Sequence, residues 1–299
     1  FDGIHLDQYG EPKFAYDVEG QGFDLAQPLA DLIAATRARV DTHRFDYALR
    51  GTVIFNCVGN WPVATVASAP EDLVYIEVWP PHTRFQDLHD LVVAAQQHGG
   101  GKPVVLAAYL DPRHEINAFF SDAVIFAAGG SRIELGEDGR YLADPYFPKH
   151  QSISPALAGD LARLYDFAIR FQSLIGPATA DTNSPGSGLI TVHITTESGE
   201  QGGIWPILRR SPDHLAVNLL HLDPNAPWQE PPVPAPASIG PLTITLTGLA
   251  IPVARAWAAS PDAPTVRLGD LPFHQDAATL TLYLPTLYRW TLLVLDLAT

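Results

Sequence analysis

Two acidic side chains, Asp7 and Glu77, lie at the ends of short apolar runs and could together perform nucleophilic and acid–base chemistry. Asp7 closes the run GIHLD at 3–7, and Glu77 lies in LVYIEV at 73–78. Cleavage of a glycosidic bond needs one carboxylate to attack or stabilise the anomeric carbon and one carboxylic acid to protonate the departing oxygen. The pair suits these two roles. The alternative is a turn residue before Gly10 and an outward-facing strand residue.

Two further polar side chains belong to the same runs of sequence. Asn56 ends the run TVIFN at 52–56 and could hold a sugar hydroxyl or orient Glu77. His5 precedes Asp7 by two residues and should face the same side of its strand, because successive strand side chains alternate between faces. It could hydrogen-bond a substrate hydroxyl, and a structural role is the alternative.

Aromatic and acidic side chains near these positions extend the set of candidates. Tyr9 and Trp79 follow the first and third runs and could stack on sugar rings, with core packing as the alternative. Glu134, in the segment GGSRIELGE, could hold a hydroxyl or orient Glu77. A salt bridge with Arg132 explains Glu134 equally well. The residues alone leave these alternatives open.

The elements that must position these side chains follow a β/α pattern from residue 1 to about 150. The segments at 25–40 and 85–99 place apolar residues at steps of three and four, which predicts amphipathic outer helices. The shorter runs are apolar on both faces, as parallel strands usually are. In a parallel barrel the reactive groups lie at the C-terminal ends of the strands. The five predicted strands are 3–7, 52–56, 73–78, 103–109 and 122–128.

The character of the chain changes after a helix predicted at 153–175. The turn-rich stretch PATADTNSPGSG follows, and then come short β-branched segments with turn residues between them, which predict a β-sandwich. Residues 224–241 contain seven prolines and are predicted to form an extended surface connection. The predicted division is a catalytic domain at 1–176, a linker at 177–187 and a β-sandwich domain at 188–299.

Composition and charge exclude several classes of function. The 18 basic and 33 acidic side chains give a net charge of −15, which disfavours nucleic acid and acidic membranes as partners. The single cysteine, Cys57, excludes an internal disulfide and a cysteine-based zinc site. The eleven histidines show no close ligand spacing, and the sequence has no phosphate-binding glycine loop. We therefore expect no metal or other cofactor.

The start of the sequence has the character of the middle of a domain. The chain contains no methionine, and Phe1 opens directly into FDGIHLDQYG. No series of charged, apolar and small residues resembles a signal peptide there. We therefore expect the true N-terminus to lie upstream of Phe1.

Five segments occur in a fixed order along the first part of the chain: FDGIHLDQYG, VIFNCVGNWPVAT, LVYIEVWPP, GKPVVLAAY and DAVIFAAGGSRIELGE. Together they resemble the barrel core of glycoside hydrolase family 66, the dextranases and cycloisomaltooligosaccharide glucanotransferases. The likeness covers about residues 1–175 and is weaker near 251–297. It implies α/β plus all-β architecture: strands four to eight of a (β/α)8 TIM barrel, followed by the β-sandwich. Strands one to three would precede Phe1.

The resemblance also implies a role for each carboxylate. The family nucleophile lies in a DGxxxD-type segment on the fourth strand, which matches Asp2, Gly3 and Asp7. The family acid/base lies in an ExW segment on the sixth strand, which matches Glu77 and Trp79. The family retains anomeric configuration, so the implied mechanism is double displacement, with carboxyl groups about 5–5.5 Å apart.

The implied activity is that of an endo-dextranase acting on α-1,6-glucosidic bonds of dextran or isomaltooligosaccharides, outside the cell or at its surface. The alternatives are a cyclising transglycosylase, namely a cycloisomaltooligosaccharide glucanotransferase, and a non-catalytic carbohydrate-binding fragment. Cyclising members of the family carry a carbohydrate-binding module inserted within the catalytic domain. No insertion of that size interrupts residues 1–150, so the resemblance favours hydrolysis. We expect a monomer once the N-terminal part is present. Without it, open barrel edges should cause aggregation or loss of activity.

Overall fold

The computed structural model describes residues 3–8, 10–42, 50–136, 139–146, 149–176, 179–181, 190–196, 199, 203–263 and 266–298. Its first half alternates strands with helices. In chain order these elements are β1 (Gly3–Leu6), β2 (Phe14–Tyr16), β3 (Gly22–Asp24), α1 (Ala26–Asp41), β4 (Thr52–Val58), α2 (Val63–Val66), β5 (Leu73–Glu77), α3 (Phe85–His98), β6 (Val104–Ala107), α4 (Glu115–Ala127), β7 (Ser131–Ile133), α5 (Pro155–Arg170) and α6 (Gln172–Ile175).

Five of these strands form a parallel sheet in the order β1-β4-β5-β6-β7. One face carries side chains such as Val53, Phe55 and Ile76, which are fully buried in a core shared with the helices. The opposite face carries Ile54 and Tyr75, which are only half-buried. The sequence predicted burial on both faces. Among the described residues the helix-covered face alone is fully buried.

The predicted outer helices are present as α1 and α3, and the helix predicted at 153–175 is present as α5 and α6. Local capping explains where two of them begin. Asp87 accepts from the backbone N–H of Arg84 at the start of α3, and Ser154 accepts from the backbone N–H of Leu157 at the start of α5. No helix in the described part of the chain is long and apolar enough to cross a membrane.

The strand predicted at 122–128 is wrong, because this stretch is the C-terminal part of α4. The fifth strand of the sheet is β7, which follows that helix. Every residue of α4 from Asn117 to Ala127 is buried. A helix buried on all sides has no polar stripe, so its apolar run cannot be told from a buried strand by periodicity.

The second half is built from antiparallel strands, as the sequence predicted. They form a six-stranded sheet, β14-β13-β17-β11-β10-β8, and a four-stranded sheet, β15-β16-β12-β9. Leu208 and Leu295 from the first sheet share a core with Ile244 and Leu282 from the second, which makes a β-sandwich. The strands are β8 (Ala180–Asp181), β9 (Thr191–Thr196), β10 (Ile204–Arg210), β11 (His214–His221), β12 (Leu242–Thr247), β13 (Val253–Ala259), β14 (Arg267–Asp270), β15 (Phe273–Asp276), β16 (Thr279–Leu284) and β17 (Trp290–Leu297).

Part of the predicted linker at 177–187 belongs to this second half. Its residues Ala180–Asp181 form β8, which pairs with the end of β10. Residues 177–178 and 182–187 lie outside the described residues. Two of the three described linker residues, Ala180 and Asp181, therefore belong to an edge strand of the six-stranded sheet.

The proline-rich segment, residues 224–241, has neither helix nor regular strand and runs back over the first half. Trp228 is only 1% exposed, and its indole N–H donates to the carbonyl of His82 at 2.9 Å. The carbonyl of Ala226 accepts from Phe85 N–H at 3.1 Å. The side chain of Asn117 accepts from the N–H of Val233 at 2.7 Å. The segment is extended, as predicted, but it is also fixed against the loop that follows β5.

Candidate active site

The amide of Asn56 lies between the two carboxylates that the sequence singled out. Its Nδ2 donates to Oδ1 of Asp7 at 2.9 Å and to Oε2 of Glu77 at 3.2 Å. This arrangement follows from the strand order, because β4 lies between β1 and β5 in the sheet. The register pairs Leu6 with Phe55, and Val58 with Glu77. The three candidate side chains therefore meet at the C-terminal edge of the sheet.

The two carboxylates differ in exposure. Asp7 is exposed and Glu77 is half-buried, while Asn56 is only 6% exposed. Oδ1 of Asp7 and Oε2 of Glu77 both accept from the same nitrogen of Asn56. These two oxygens are therefore at most two hydrogen-bond lengths, or about 6 Å, apart. With Asp7 exposed beside a half-buried Glu77, one side of the pair of carboxylates is open to solvent.

Gln8 holds the exposed carboxylate in place. Its backbone N–H donates to Oδ1 of Asp7 at 2.9 Å. Its side-chain amide donates to the carbonyls of Asn56 and Trp61, at 3.1 and 2.7 Å. These bonds fix the loop after β1 against β4. Gln8 was not predicted from the sequence, because a single glutamine in a loop carries no pattern that could reveal its position.

Two tyrosines complete the surroundings of Glu77. Burial raises the pKa of Tyr75 to about 12, and the charge of Glu77 adds to this. Burial likewise raises the pKa of Tyr109 well above its usual value, and its hydroxyl also interacts by hydrogen bonding with Glu77 and Tyr75. Both phenols thus stay protonated and can act as hydrogen-bond donors at neutral pH.

Neither tyrosine was predicted from the sequence, although two rules could have identified them. Tyr75 precedes Glu77 by two residues and so faces the same side of β5. Tyr109 ends the strand predicted at 103–109, and the strand-end rule that selected Asn56 applies to it equally.

Besides Asn56, two of the predicted substrate-binding residues lie at this edge of the sheet. His5 is exposed and contacts the ring of Tyr75 edge-on, with centroids 5.0 Å apart. Trp79 is 39% exposed, with its ring centroid 6.1 Å from that of Tyr109. Both rings therefore remain accessible beside the carboxylates. Tyr9, also predicted to bind substrate, lies outside the described residues.

Glu134 has a different environment from the other candidates. It is 1% exposed, and its carboxylate lies 3.5 Å from the guanidinium of Arg132, which also donates to Asp122 at 3.1 Å. These contacts agree with the alternative in which Glu134 forms a salt bridge with Arg132. A side chain without exposed surface offers nothing to a sugar in this arrangement, so we do not retain Glu134 as a substrate-binding residue.

In the described part of the chain, no group of three or more histidine, cysteine or carboxylate side chains is placed to hold a metal ion. The groups that the structure brings together at the site are two carboxylates, one amide and two phenols. One carboxylate can attack an electrophilic carbon while the other donates and accepts a proton.

Comparison with known proteins points to carbohydrate-active enzymes. A family model described as glycosyl hydrolase family 66 matches residues 1–294. Two cycloisomaltooligosaccharide glucanotransferases from Niallia circulans are 25% identical over 180 residues and 31% identical over 115 residues. The crystal structure of a Paenibacillus cycloisomaltooligosaccharide glucanotransferase complexed with cycloisomaltoheptaose is 17% identical, with a TM-score of 0.83.

The matches differ in how much of each protein they cover. The two Niallia matches cover 59% and 37% of this chain, but only 19% and 12% of the relatives themselves. The Paenibacillus structure matches 98% of this chain and 62% of its own length. The chain thus spans a minor part of the curated relatives, and the similarity to the solved structure establishes a common fold.

Proposed function

The chain belongs to glycosyl hydrolase family 66, and from this premise we propose that it cleaves α-1,6-glucosidic bonds in dextran-type glucans by double displacement. Asp7 is the nucleophile and Glu77 the acid/base. The observation that carries the proposal is the Asn56 amide, which binds both carboxylates at once. We further propose that the protein acts outside the cell or at its surface, where a polymeric glucan is accessible.

The first step forms a glucosyl-enzyme ester. The Asp7 carboxylate attacks the anomeric carbon as the bond to the departing glucosyl oxygen breaks, and Glu77 gives its proton to that oxygen. In the second step Glu77, now ionised, takes a proton from water. The water oxygen attacks the anomeric carbon and expels Asp7 as a carboxylate. Two inversions give net retention of configuration.

The geometry of the pair supports this mechanism over direct displacement. Retaining enzymes hold the two carboxyl groups about 5–5.5 Å apart, whereas inverting enzymes need about 6.5–9.5 Å to admit a water molecule. The shared bonds to Asn56 limit the two bound oxygens to about 6 Å. Because Asn56 is bonded to both groups, its amide can donate to Asp7 before the first step and to Glu77 after Glu77 has lost its proton.

We propose that the five parallel strands are strands four to eight of a (β/α)8 barrel. The fold shared with the Paenibacillus structure supports this proposal. So does the half-buried face of the sheet, because the strands of a closed barrel enclose their inner face with side chains. The predicted division into a catalytic domain at 1–176 and a sandwich domain at 188–299 stays a prediction.

Transglycosylation is the second candidate, and the named relatives favour it. Both curated relatives are cycloisomaltooligosaccharide glucanotransferases. The first step is common to both activities, and only the acceptor differs. Water gives linear products, whereas the 6-hydroxyl at the non-reducing end of the same glucan gives a ring. Product analysis on dextran separates the two, since cyclic products would replace the dextranase assignment.

Azide rescue tests the two catalytic roles independently. With an isomaltooligoside carrying a good aryl leaving group, Asp7→Gly plus azide should give a β-glucosyl azide by a single displacement. Glu77→Ala plus azide should give the α-glucosyl azide, because azide then intercepts the ester at Asp7. Without azide, Glu77→Gln should lower dextran cleavage by about 10²–10⁴-fold.

The exposed carboxylate Glu19 supplies the matched control for these variants. Glu19→Gln removes one negative charge from the same half of the molecule and should cleave dextran at the parental rate. Parental activity in Asp7→Gly or Glu77→Gln would disprove the assignment of the corresponding residue.

A further inference from the structure

We propose that a cavity between the proline-rich segment and the C-terminal ends of β5 and β6 binds a glucosyl unit of the substrate, and that Glu230 of the second half contacts it. The inference rests on the proposed function and adds a binding subsite to it. The cavity has a volume of about 430 Å³. That volume is within the range of about 300–1,000 Å³ typical of ligand pockets.

Both halves of the molecule form the walls of this cavity. The loops after β5 and β6 contribute lining residues from the first half, and the proline-rich segment contributes Pro227, Gln229 and Glu230 from both sides of Trp228. The polar residues that line it are Thr83, Tyr109, Asp111, Gln151, Gln229 and Glu230.

Tyr109 connects the cavity to the catalytic pair. It lines the cavity, and its hydroxyl also interacts with Glu77. Its ring lies beside the partly exposed ring of Trp79. A glucan chain whose scissile bond reaches Glu77 would therefore pass Tyr109 and place a neighbouring unit in the cavity.

The chemistry of the lining suits a neutral, hydroxyl-rich ligand. Hydroxyl, amide and carboxylate groups can donate to and accept from sugar hydroxyls. The Asp111 carboxylate is held by a two-pronged bond from Arg113, which lowers its pKa and keeps it ionised. With Glu230 also present, the lining carries negative charge and disfavours anionic ligands such as phosphates.

The proline-rich segment is fixed rigidly enough to serve as a wall. Gln229 donates from its side chain to the carbonyl of Tyr109 at 2.8 Å, and its own carbonyl contacts Nδ1 of His114 at 2.9 Å. The preceding residue, Trp228, is buried and bonded to His82. Glu230 is therefore presented to the cavity by anchored neighbours, which limits the entropy lost when a ligand binds.

The experiment measures binding separately from catalysis. Isomaltohexaose is titrated calorimetrically into the complete polypeptide carrying Glu77→Gln, with and without one of two cavity changes. Glu230→Ala removes a proposed ligand contact, and Ala143→Trp fills the cavity from a lining residue. Each should weaken isomaltohexaose binding by about tenfold, the loss expected for one hydrogen bond to a charged group or for steric exclusion.

Asp276→Ala is the control, because this exposed carboxylate lies on β15 of the other sheet. It should bind isomaltohexaose like the Glu77→Gln parent, and circular dichroism should show the same fold for all variants. Unchanged binding in both Glu230→Ala and Ala143→Trp would overturn the subsite while leaving the proposed function intact. If the wild-type protein cleaved no α-1,6-glucan and the Glu77→Gln parent bound none, the proposed function would fail as well.

Discussion

At the scale of single residues, Asn56 couples the two carboxylates of the site. Its amide has one nitrogen that donates to both Asp7 and Glu77, and the side chain is almost fully buried in β4. A neutral donor between two acids lowers their mutual repulsion without adding charge. The identity of this residue should therefore affect catalysis more than the identity of any exposed neighbour.

The change Asn56→Asp keeps the shape of the side chain but replaces the donor with a third carboxylate. We expect kcat/KM on dextran to fall by at least about tenfold, because hydrogen bonds to charged groups contribute about 1.5–3 kcal/mol. The added negative charge also disfavours the ionised form of the attacking carboxylate, so the acidic limb of the pH–rate profile should move to higher pH. The exposed Asn225→Asp is the control, and an unmoved acidic limb would contradict this role for Asn56.

A second prediction concerns Glu71, a buried carboxylate that supports β4 from outside the site. Its Oε2 accepts from the N–H of Phe55 at 3.3 Å. Burial raises the pKa of Glu71 from 4.5 to about 8, although the Lys102 charge opposes the shift. Between these two values the folded state holds a proton that the unfolded state has lost, so the free energy of unfolding should fall as pH rises through this window.

Glu71→Gln removes this titration and should gain stability relative to the wild-type protein as pH rises. The measurement is the difference in melting temperature between variant and wild type at about pH 5 and about pH 9. The difference should become more positive at the higher pH. Glu19→Gln, at an exposed position, should show no such trend. A pH-independent difference for Glu71→Gln would argue against a raised pKa in the folded protein.

The sequence predicted the central residues of the candidate site but not the residues around them. Asp7, Asn56 and Glu77 could be found because each ends a readable apolar run, and parallel strands bring such ends together. Glu134 ends a similar run, yet its side chain turns into the protein toward Arg132. The direction of a side chain at a strand end depends on packing across the sheet, which no local pattern in the sequence contains.

At the scale of elements, a buried ion cluster joins α4, β6 and β7. The Arg132 side chain from β7 donates to Asp122 of α4 at 3.1 Å and to the carbonyl of Ala108 after β6 at 2.7 Å. Burial and the nearby Glu134 raise the pKa of Asp122, and Arg132 opposes that shift. The arginine thus compensates two carboxylates that have no exposed surface.

Arg132→Met should destabilise the fold by about 3–5 kcal/mol, because it leaves buried acids without a counter-charge. The measurement is the free energy of unfolding in urea at neutral pH. Arg255→Met is the matched control, since Arg255 pairs with Asp270 on the surface and such pairs contribute less than about 1 kcal/mol. Equal losses in the two variants would show that the buried cluster does not hold these elements together.

The helices that could be predicted from the sequence are those with a clear contrast between a polar and an apolar side. The helices α1 and α3 have a polar side, so their period was visible in the sequence. The helix α4 is buried around its whole circumference, and its stretch 122–128 was mistaken for a strand. The true strand β7 has only three residues, too few for a periodic signal.

At the scale of the whole molecule, the two halves share one hydrophobic core. Trp228 and Trp290 from the second half are buried in the same cluster as Phe85 and Phe120 from the first. The shared core explains why a proline-rich connection, predicted only to be extended, carries a buried tryptophan. Contacts between distant parts of a chain of this kind leave no local trace in the sequence.

A buried arginine adds polar contacts to this junction. Arg289 donates to Asp160 of α5 at 2.6 Å and to Asp262 at 2.7 Å, and its guanidinium lies over the ring of Phe119, 3.7 Å from the centroid. The bonds to Asp160 join the residue before β17 to α5, and the contact with Phe119 joins it to α4. The junction therefore combines apolar burial with charge-assisted hydrogen bonds, and neither half should unfold while the other keeps its core intact.

We therefore expect one cooperative unfolding transition, even though chains with two structural halves often show two. Trp228→Ala should lower its midpoint by the equivalent of about 3–5 kcal/mol, the usual cost of removing a large buried aromatic side chain. Differential scanning calorimetry of the wild type, Trp228→Ala and the exposed control Tyr283→Ala measures this. The calorimetric and van't Hoff enthalpies should agree in all three proteins. Two resolved transitions, with only one of them moved by Trp228→Ala, would mean that the halves are independent and that the cavity wall can detach from the active site.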